Sequence, residues 1–174
     1  QVEARYGSDA TTVSVLADHG LLDASLLAAH LHGTTRAERE RLIDAGVSMV
    51  GCPSSIAAID GVVPPVAAYR EHGGTVALGT DQAPGPGHHT MLREIRTAAT
   101  LAKVDRSDPT ALPAWAVLRL GTIEGARALG LGDRIGSLEV GKRADVLTVD
   151  TDRLTVSPVV DEPFHTVVPN LVYS

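Results

Sequence analysis

The chain has 174 residues, of which 44% are hydrophobic, 21% are charged and 3% are aromatic, and its formal net charge is -6. This length suits one globular domain, or one domain with a small appendage, and the composition excludes a disordered tail. The acidic balance argues against a nucleic-acid partner, because phosphate recognition needs a cationic surface, and no apolar run is long enough for a transmembrane helix. A single cysteine, Cys52, excludes an internal disulfide framework and fits a cytoplasmic location.

Short apolar runs alternate with helical patterns as far as residue 130. Three runs bounded by turn-forming residues predict strands, at 26–30, 47–50 and 75–79. Apolar residues at helical spacing predict helices at 10–19, 35–45, 67–73, 91–102, 112–120 and 122–130. Thr35 and Glu38 have the spacing of a capping box, which satisfies free amide groups at the start of a helix. The alternation predicts parallel β–α–β units.

Two segments depart from this alternation. Residues 82–89 contain two Pro and two Gly, which excludes regular secondary structure there. Turn-forming residues at 135–142 precede a strand-like run at 144–149, and residues 171–174 also have the pattern of a strand. We therefore predict a boundary near residue 133.

His30, Cys52 and Asp81 lie at the ends of the three predicted strands or within two residues of them, roughly 20 to 30 residues apart. A (β/α)8 barrel spends about 30 residues on each unit. A doubly wound sheet has similar spacing, so the spacing leaves both folds open. No glycine-rich phosphate loop follows any of the three runs, which weighs against a nucleotide-binding sheet.

These three residues are candidate functional residues, because the carboxyl ends of parallel strands hold the active site in such folds. His30 and Asp81 offer an imidazole and a carboxylate to one pocket, which suits metal binding or general base catalysis. The competing interpretation is structural: a histidine bonded to the next loop and an aspartate in a turn. Cys52 has no neighbour that would activate its thiol, so a buried apolar role is favoured over a nucleophile.

Polar residues that follow the second and third strands complete the candidate site. Ser54 and His88 are predicted to contact the substrate. His88 and His89 both lie in the segment rich in Pro and Gly, and one of them is expected to reach a bound molecule. Solvated loop histidines are the competing interpretation for this pair.

Six segments in this order resemble the amidohydrolase superfamily, in its branch of chloro-s-triazine hydrolases and nucleobase or nucleoside deaminases: 26–30, 51–55, 76–81, 91–98, 122–131 and 135–145. The Leu-Gly-Thr-Asp segment ending at Asp81 and the Gly-Ser-Leu-Glu-Val-Gly-Lys segment beginning at Gly136 are the most specific. The resemblance covers essentially the whole chain. It implies an α/β fold, with strands six to eight of a metal-dependent (β/α)8 barrel over 1–133 and part of a small β-sandwich over 134–174.

The resemblance also implies roles for two residues. Asp81 corresponds to the strand-eight aspartate that binds the metal and accepts a proton from metal-bound water. His30 corresponds to the strand-six histidine that stabilises the attacked centre and binds metal in two-metal relatives. The implied cofactor is a divalent metal, zinc with iron as the alternative, and the implied reaction is hydrolysis of a C–N or C–Cl bond.

The implied partner is a small N-heterocyclic substrate, with no nucleic acid and no membrane, and a homo-oligomer is left open. Where many relatives have a histidine and an asparagine, this chain has Gly51 and Ile56, which argues against an ordinary adenosine-type substrate. The family's histidines on strands one and five have no counterpart here, so strands one to five are expected to be absent from the chain.

Two hypotheses from different classes follow from these features. The first is that the chain belongs to a complete metal-dependent aminohydrolase or chlorohydrolase. The second is a catalytically incompetent barrel fragment, or one half of a split enzyme, because three strands leave open edges and two ligands are too few for a tight zinc site. A binding module that performs no chemistry would leave the Gly-Thr-Asp placement unexplained.

Overall fold

A computed structural model describes residues 2–82, 87–153, 156–160, 162 and 165–174 of the chain. Its elements in chain order are α1 (Val2–Tyr6), α2 (Thr12–Asp18), β1 (Leu27–Ala29), α3 (Arg36–Asp44), β2 (Ser48–Gly51), α4 (Pro53–Ile59), α5 (Val66–Glu71), β3 (Val76–Leu78), α6 (Met91–Arg106), α7 (Ala114–Leu120), α8 (Ile123–Ala128) and α9 (Val167–Tyr173). None of the helices in the described ranges is long and apolar enough to cross a membrane.

The three strands form one parallel sheet in the order β1-β2-β3. Leu27 lies opposite Ser48, and Met49 lies opposite Val76. Parallel neighbours need a crossover connection, and helices supply it in both cases. The predicted strands and their parallel pairing are therefore confirmed, and the carboxyl ends of all three strands lie at one edge.

Local signals in the sequence account for the start of α3. Thr35 Oγ1 accepts a hydrogen bond from the backbone N–H of Glu38, and Glu38 Oε2 accepts one from the backbone N–H of Thr35. This is the predicted capping box. The helices predicted at 10–19, 112–120 and 122–130 are likewise present, each within two residues at its ends.

The core lies between the sheet and the helices around it, with α5, α6 and α7 contributing most of its residues, and its largest fully buried side chain is Tyr69. The Tyr69 ring is fully buried, and its hydroxyl donates to the carbonyl oxygen of Val47 at 2.7 Å. Burial raises the pKa of this phenol to about 12. Helix α6 adds a buried face of Ile95, Ala98, Ala99 and Ala102. This packing fixes α6 against the sheet.

Two strand predictions in the last 41 residues are wrong. No described residue of 134–174 lies in a strand, and residues 144–149 form irregular backbone with exposed apolar side chains such as Leu147. A strand needs a neighbour for its backbone groups, and none of the described residues pairs with this run. Residues 171–173 belong to α9 instead, because Val168 and Val172 share one helical face, which is buried. The β-sandwich and the boundary near residue 133 stay predictions.

Candidate functional site

The residues that follow β1 and β3 have unusual backbone conformations. His30 has a φ of 66° and Asp81 a φ of 58°, both in the left-handed region. Each such residue costs about 1 kcal/mol or more and persists only where its surroundings impose it. His30 is held by its backbone N–H, which donates to the carbonyl oxygen of Val50 at 2.8 Å.

The side chains of His30 and Asp81 meet at this edge of the sheet. His30 Nε2 lies 3.7 Å from Asp81 Oδ2, and the two side chains are 24% and 29% exposed. His30 Nδ1 is buried and has no hydrogen-bond partner among the described residues. The structure therefore brings together an imidazole and a carboxylate that are 51 positions apart in the sequence, in a place that a ligand can reach.

A serine missed by the sequence analysis holds the carboxylate. Ser55 is fully buried in α4, and its Oγ donates to Asp81 Oδ2 at 2.7 Å. This hydrogen bond is the main reason why the pKa of Asp81 lies below its ordinary value, and the backbone N–H of Gln82 and the charge of His30 add to it. Asp81 is thus a carboxylate at neutral pH. Pro53 favours the first turn of a helix and so predicts a helix that contains Ser55, but it does not predict the contact with Asp81.

Cys52 lines the same edge as a thiol. Its side chain is buried, and burial, followed by the negative charges of Asp81 and Glu94, raises its pKa to about 11. A thiol rather than a thiolate is present at neutral pH, and the thiolate is the nucleophile. The predicted apolar role of Cys52 therefore agrees with its surroundings.

Ser54 and His88, the predicted substrate contacts, direct their polar atoms into the protein. Ser54 Oγ donates to Thr97 Oγ1 at 3.1 Å. His88 Nδ1 accepts from the backbone N–H of Thr90 at 3.3 Å, and its Nε2 lies 3.5 Å from Glu94 Oε1. Substrate binding by these two residues stays a prediction. Of the predicted loop at 82–89, residues 83–86 lie outside the described part of the chain.

His89 and Glu94 also lie near this edge. His89 Nδ1 is 3.2 Å from Thr80 Oγ1, beside the aspartate. Glu94 is fully buried on α6, and its Oε2 accepts a hydrogen bond from the backbone N–H of Ser54 at 3.1 Å. Sequence reasoning missed Glu94, although a carboxylate directly before Ile95 on the apolar face of a predicted helix was an available signal.

The donor atoms at this edge fit part of a zinc site. A histidine nitrogen and a carboxylate oxygen are ligand types that zinc accepts, and the His30 and Asp81 side chains face the same space. Catalytic zinc takes three protein ligands. The described residues contain no group of three or more His, Cys, Asp or Glu that could hold a metal ion. His30 and Asp81 therefore fit two ligand positions and leave the others unfilled by the described residues.

Active sites of barrel and open-sheet α/β enzymes lie at the carboxyl ends of the parallel strands. In this chain that edge carries His30 and Asp81. Residues 1–173 match the sequence profile described as the amidohydrolase family, and the chain belongs to this family. The resemblance inferred from the ordered motifs is thereby confirmed.

Three proteins of known name are similar to this chain in sequence or in structure. A 5-methylthioadenosine/S-adenosylhomocysteine deaminase of Moorella thermoacetica is 42% identical over 173 residues, which cover 99% of this chain and 39% of that protein. The crystal structure of an adenosine deaminase from Xanthomonas campestris with bound zinc is 40% identical with a TM-score of 0.89, over 99% of this chain and 38% of the other. Atrazine chlorohydrolase TrzN from Arthrobacter aurescens TC1, complexed with zinc, is 26% identical with a TM-score of 0.85, over 98% and 36%. The chain thus spans about two fifths of the length of these relatives, which are hydrolytic enzymes.

Proposed function

We propose that this chain is the C-terminal part of a metal-dependent (β/α)8-barrel hydrolase that deaminates an adenosine-like N-heterocycle. The observation that carries the proposal is the pair His30 and Asp81, 3.7 Å apart, with Ser55 holding the carboxylate. Deamination is favoured over dechlorination because the deaminase relatives are 42% and 40% identical, whereas the chlorohydrolase is 26% identical.

In this proposal His30 and Asp81 would hold the metal, which we take to be zinc, with iron as the alternative. When bound, a divalent metal lowers the pKa of a water molecule enough to supply hydroxide near neutral pH. The remaining ligands would come from residues of the whole protein that lie outside the described part of the chain. The two proposed ligands correspond to those that strands six and eight of such a barrel would contribute.

Asp81 is the proton acceptor in the proposed reaction. Because its pKa is lowered, its carboxylate is free of a proton at neutral pH and can take one from the attacking water. The water oxygen forms a bond to the ring carbon, the C–N bond breaks, and the proton leaves with the amine as ammonia. His30 lies beside the carboxylate, and in a site where its Nε2 is not a metal ligand it would stabilise the charge that develops on the ring.

The substrate class is proposed from the relatives, and one feature of this chain predicts a difference in specificity. By the resemblance drawn from the sequence, Gly51 and Ile56 take the places of a histidine and an asparagine. A Cβ at Gly51 would lie 2.5 Å from Val66 Cγ2, and Ile56 is buried. These two positions are packed against apolar side chains and offer no polar group. The hydrogen bonds that recognise the substrate would therefore come from other residues of the site.

A substrate panel tests the proposal. The whole protein that contains this chain is loaded with zinc and incubated with 5-methylthioadenosine, S-adenosylhomocysteine, 5'-deoxyadenosine and adenosine. Released ammonia is measured, and chloride release from atrazine is followed in parallel. We expect ammonia from at least one adenosine-like compound and no chloride. Chloride release without ammonia release would show that the protein is a chlorohydrolase and would contradict the proposed deamination. No release from any compound by the zinc-loaded protein would favour the alternative of an incompetent fragment or half of a split enzyme.

A further inference from the structure

Glu94 is a charged residue in the interior of the protein. Its side chain has no exposure to solvent, and the other buried polar residues in the described ranges, Ser48 and Ser55, are neutral. A buried carboxylate is unfavourable unless hydrogen bonds or opposite charges compensate it. The groups that contact Glu94 therefore show how the buried carboxylate is stabilised and which parts of the structure it holds in place.

The partner of Glu94 Oε2 is a free amide at the start of α4. The N-cap residue of this helix, Cys52, makes no side-chain capping hydrogen bond. The amides of the first turn have no partner within a helix and need an acceptor. Glu94 supplies that acceptor from α6, 40 positions away, through the bond of 3.1 Å from the Ser54 backbone N–H. Glu94 thus does for α4 what a capping side chain does within one helix.

The same turn of α4 carries the hydroxyl that holds Asp81. Ser55 follows Ser54 directly, and its Oγ donates to Asp81 Oδ2 at 2.7 Å. The Ser54 amide, which is bonded to Glu94, and the Ser55 hydroxyl, which is bonded to Asp81, therefore belong to adjacent residues. A shift of this turn by about 1 Å would break a hydrogen bond of this length.

The loop that follows β3 contacts the second oxygen of Glu94. His88 Nδ1 accepts from the Thr90 backbone N–H, so the proton of the neutral ring is on Nε2. That Nε2 lies 3.5 Å from Glu94 Oε1, which has no hydrogen-bond partner among the described residues. Glu94 therefore lies between the start of α4 and the segment that follows Asp81.

We propose that Glu94 is a positioning residue for the reaction: it anchors the first turn of α4 so that Ser55 holds Asp81 in its reactive orientation. Glu94 itself touches neither substrate nor metal in this scheme. The inference rests on the proposed function in taking Asp81 as the reacting carboxylate. The hydrogen bonds from Ser54 to Glu94 and from Ser55 to Asp81 are independent of that assumption.

A matched pair of substitutions isolates the bond to Ser54. Glu94→Gln and Glu94→Met both remove the charge and nearly keep the volume, but only glutamine retains an oxygen that accepts from the Ser54 N–H. The zinc-loaded protein is assayed with the most active compound of the ammonia panel. Loss of an outer hydrogen bond to a metal-site residue costs about 10-fold to 100-fold in activity. We expect kcat of Glu94→Met to fall by this amount with little change in KM. Glu94→Gln should lose clearly less, because its oxygen keeps the bond from Ser54 while its amide nitrogen faces the His88 Nε2–H.

Hydrogen–deuterium exchange of the α4 segment provides a readout independent of activity. We expect faster exchange at 53–59 in Glu94→Met and unchanged exchange in Glu94→Gln. Glu124→Met is the control, because Glu124 bonds Arg70 and Arg119 on another face and its loss should lower stability without altering kcat or exchange in α4.

Three outcomes would overturn the inference: wild-type kcat and exchange in Glu94→Met, equal impairment of the two Glu94 variants, or the same changes in Glu124→Met. If the wild-type protein releases no ammonia, the proposed function fails, and the exchange of α4 in the Glu94 variants still decides whether Glu94 anchors this turn.

Discussion

Removal of one hydroxyl, in Ser55→Ala, tests how the carboxylate of the site is held. Ser55 is fully buried and donates to Asp81 Oδ2 at 2.7 Å, a distance typical of a hydrogen bond to a charged acceptor. Such bonds contribute about 1.5 to 3 kcal/mol. Alanine removes a single oxygen from a packed helix and adds no atom, so α4 should persist. If the bond is fully used in the transition state, kcat/KM should fall by about one to two orders of magnitude.

The assay compares Ser55→Ala with Ser48→Ala. Ser48 is also buried, but it lies at the opposite end of β2 from the candidate site. Ammonia release under kcat/KM conditions should fall only in Ser55→Ala. In the metal-free protein, the pKa of Asp81, followed by carboxyl NMR, should rise toward its ordinary value, because the hydrogen bond that stabilises the charged form is lost. Equal kcat/KM for the two variants and an unchanged Asp81 pKa would refute this reasoning.

Three further predictions concern packing, charge and reactivity. Gly51→Ala should lower the free energy of unfolding in urea by about 1 to 3 kcal/mol, because its Cβ would meet Val66 Cγ2 at 2.5 Å; unchanged stability would contradict this packing. Burial raises the pKa of Glu124, but the hydrogen bonds from two arginines outweigh burial, so the pKa is lowered. The contribution of Glu124 to the free energy of unfolding is therefore present above the unfolded pKa of 4.5 and is lost as pH falls through the folded pKa. Glu124→Gln should therefore be less stable than wild type by about 1 kcal/mol at pH 7. Thermal unfolding should show this difference in stability disappear in acid, and a difference that persists in acid would contradict the prediction. Cys52, with a pKa of about 11, should resist iodoacetamide at pH 8 in the native protein and react after unfolding, as mass spectrometry would detect; rapid native alkylation would disprove its burial.

Local patterns in the sequence predicted the sheet and two residues at its edge. The strands before His30, Cys52 and Asp81 are short apolar runs closed by turn residues, and such signals depend only on neighbouring positions. Parallel pairing then places the strand ends at one edge, so His30 and Asp81 are expected to meet there. Their separation of 3.7 Å agrees with that expectation.

The residues that support Asp81 could not be predicted in the same way. Ser55 meets Asp81 across 26 positions and Glu94 meets Ser54 across 40, through two different helices. No local pattern encodes such contacts, because they depend on how α4 and α6 pack together. Ser55 therefore resembled any serine in the first turn of a helix. The position of Glu94 on an apolar face indicated burial but not its partner.

The strand predictions near the chain end failed for a related reason. The run at 144–149 has strand propensity, but propensity produces a strand only where a partner pairs with it. Residues 171–173 are β-branched and aromatic in part, yet Val168 and Val172 pack as one helical face against the core. Tertiary contacts decided the secondary structure at both places.

Ammonia release by zinc-loaded Asp81→Asn tests the central claim most directly. The substitution is nearly isosteric, keeps an oxygen that can accept from Ser55, and removes the group that accepts the proton. We predict that turnover of an adenosine-like substrate falls by at least about three orders of magnitude while the melting temperature stays near that of the wild type. Turnover close to wild type, with the zinc content unchanged, would contradict the assignment of Asp81 as the reacting carboxylate.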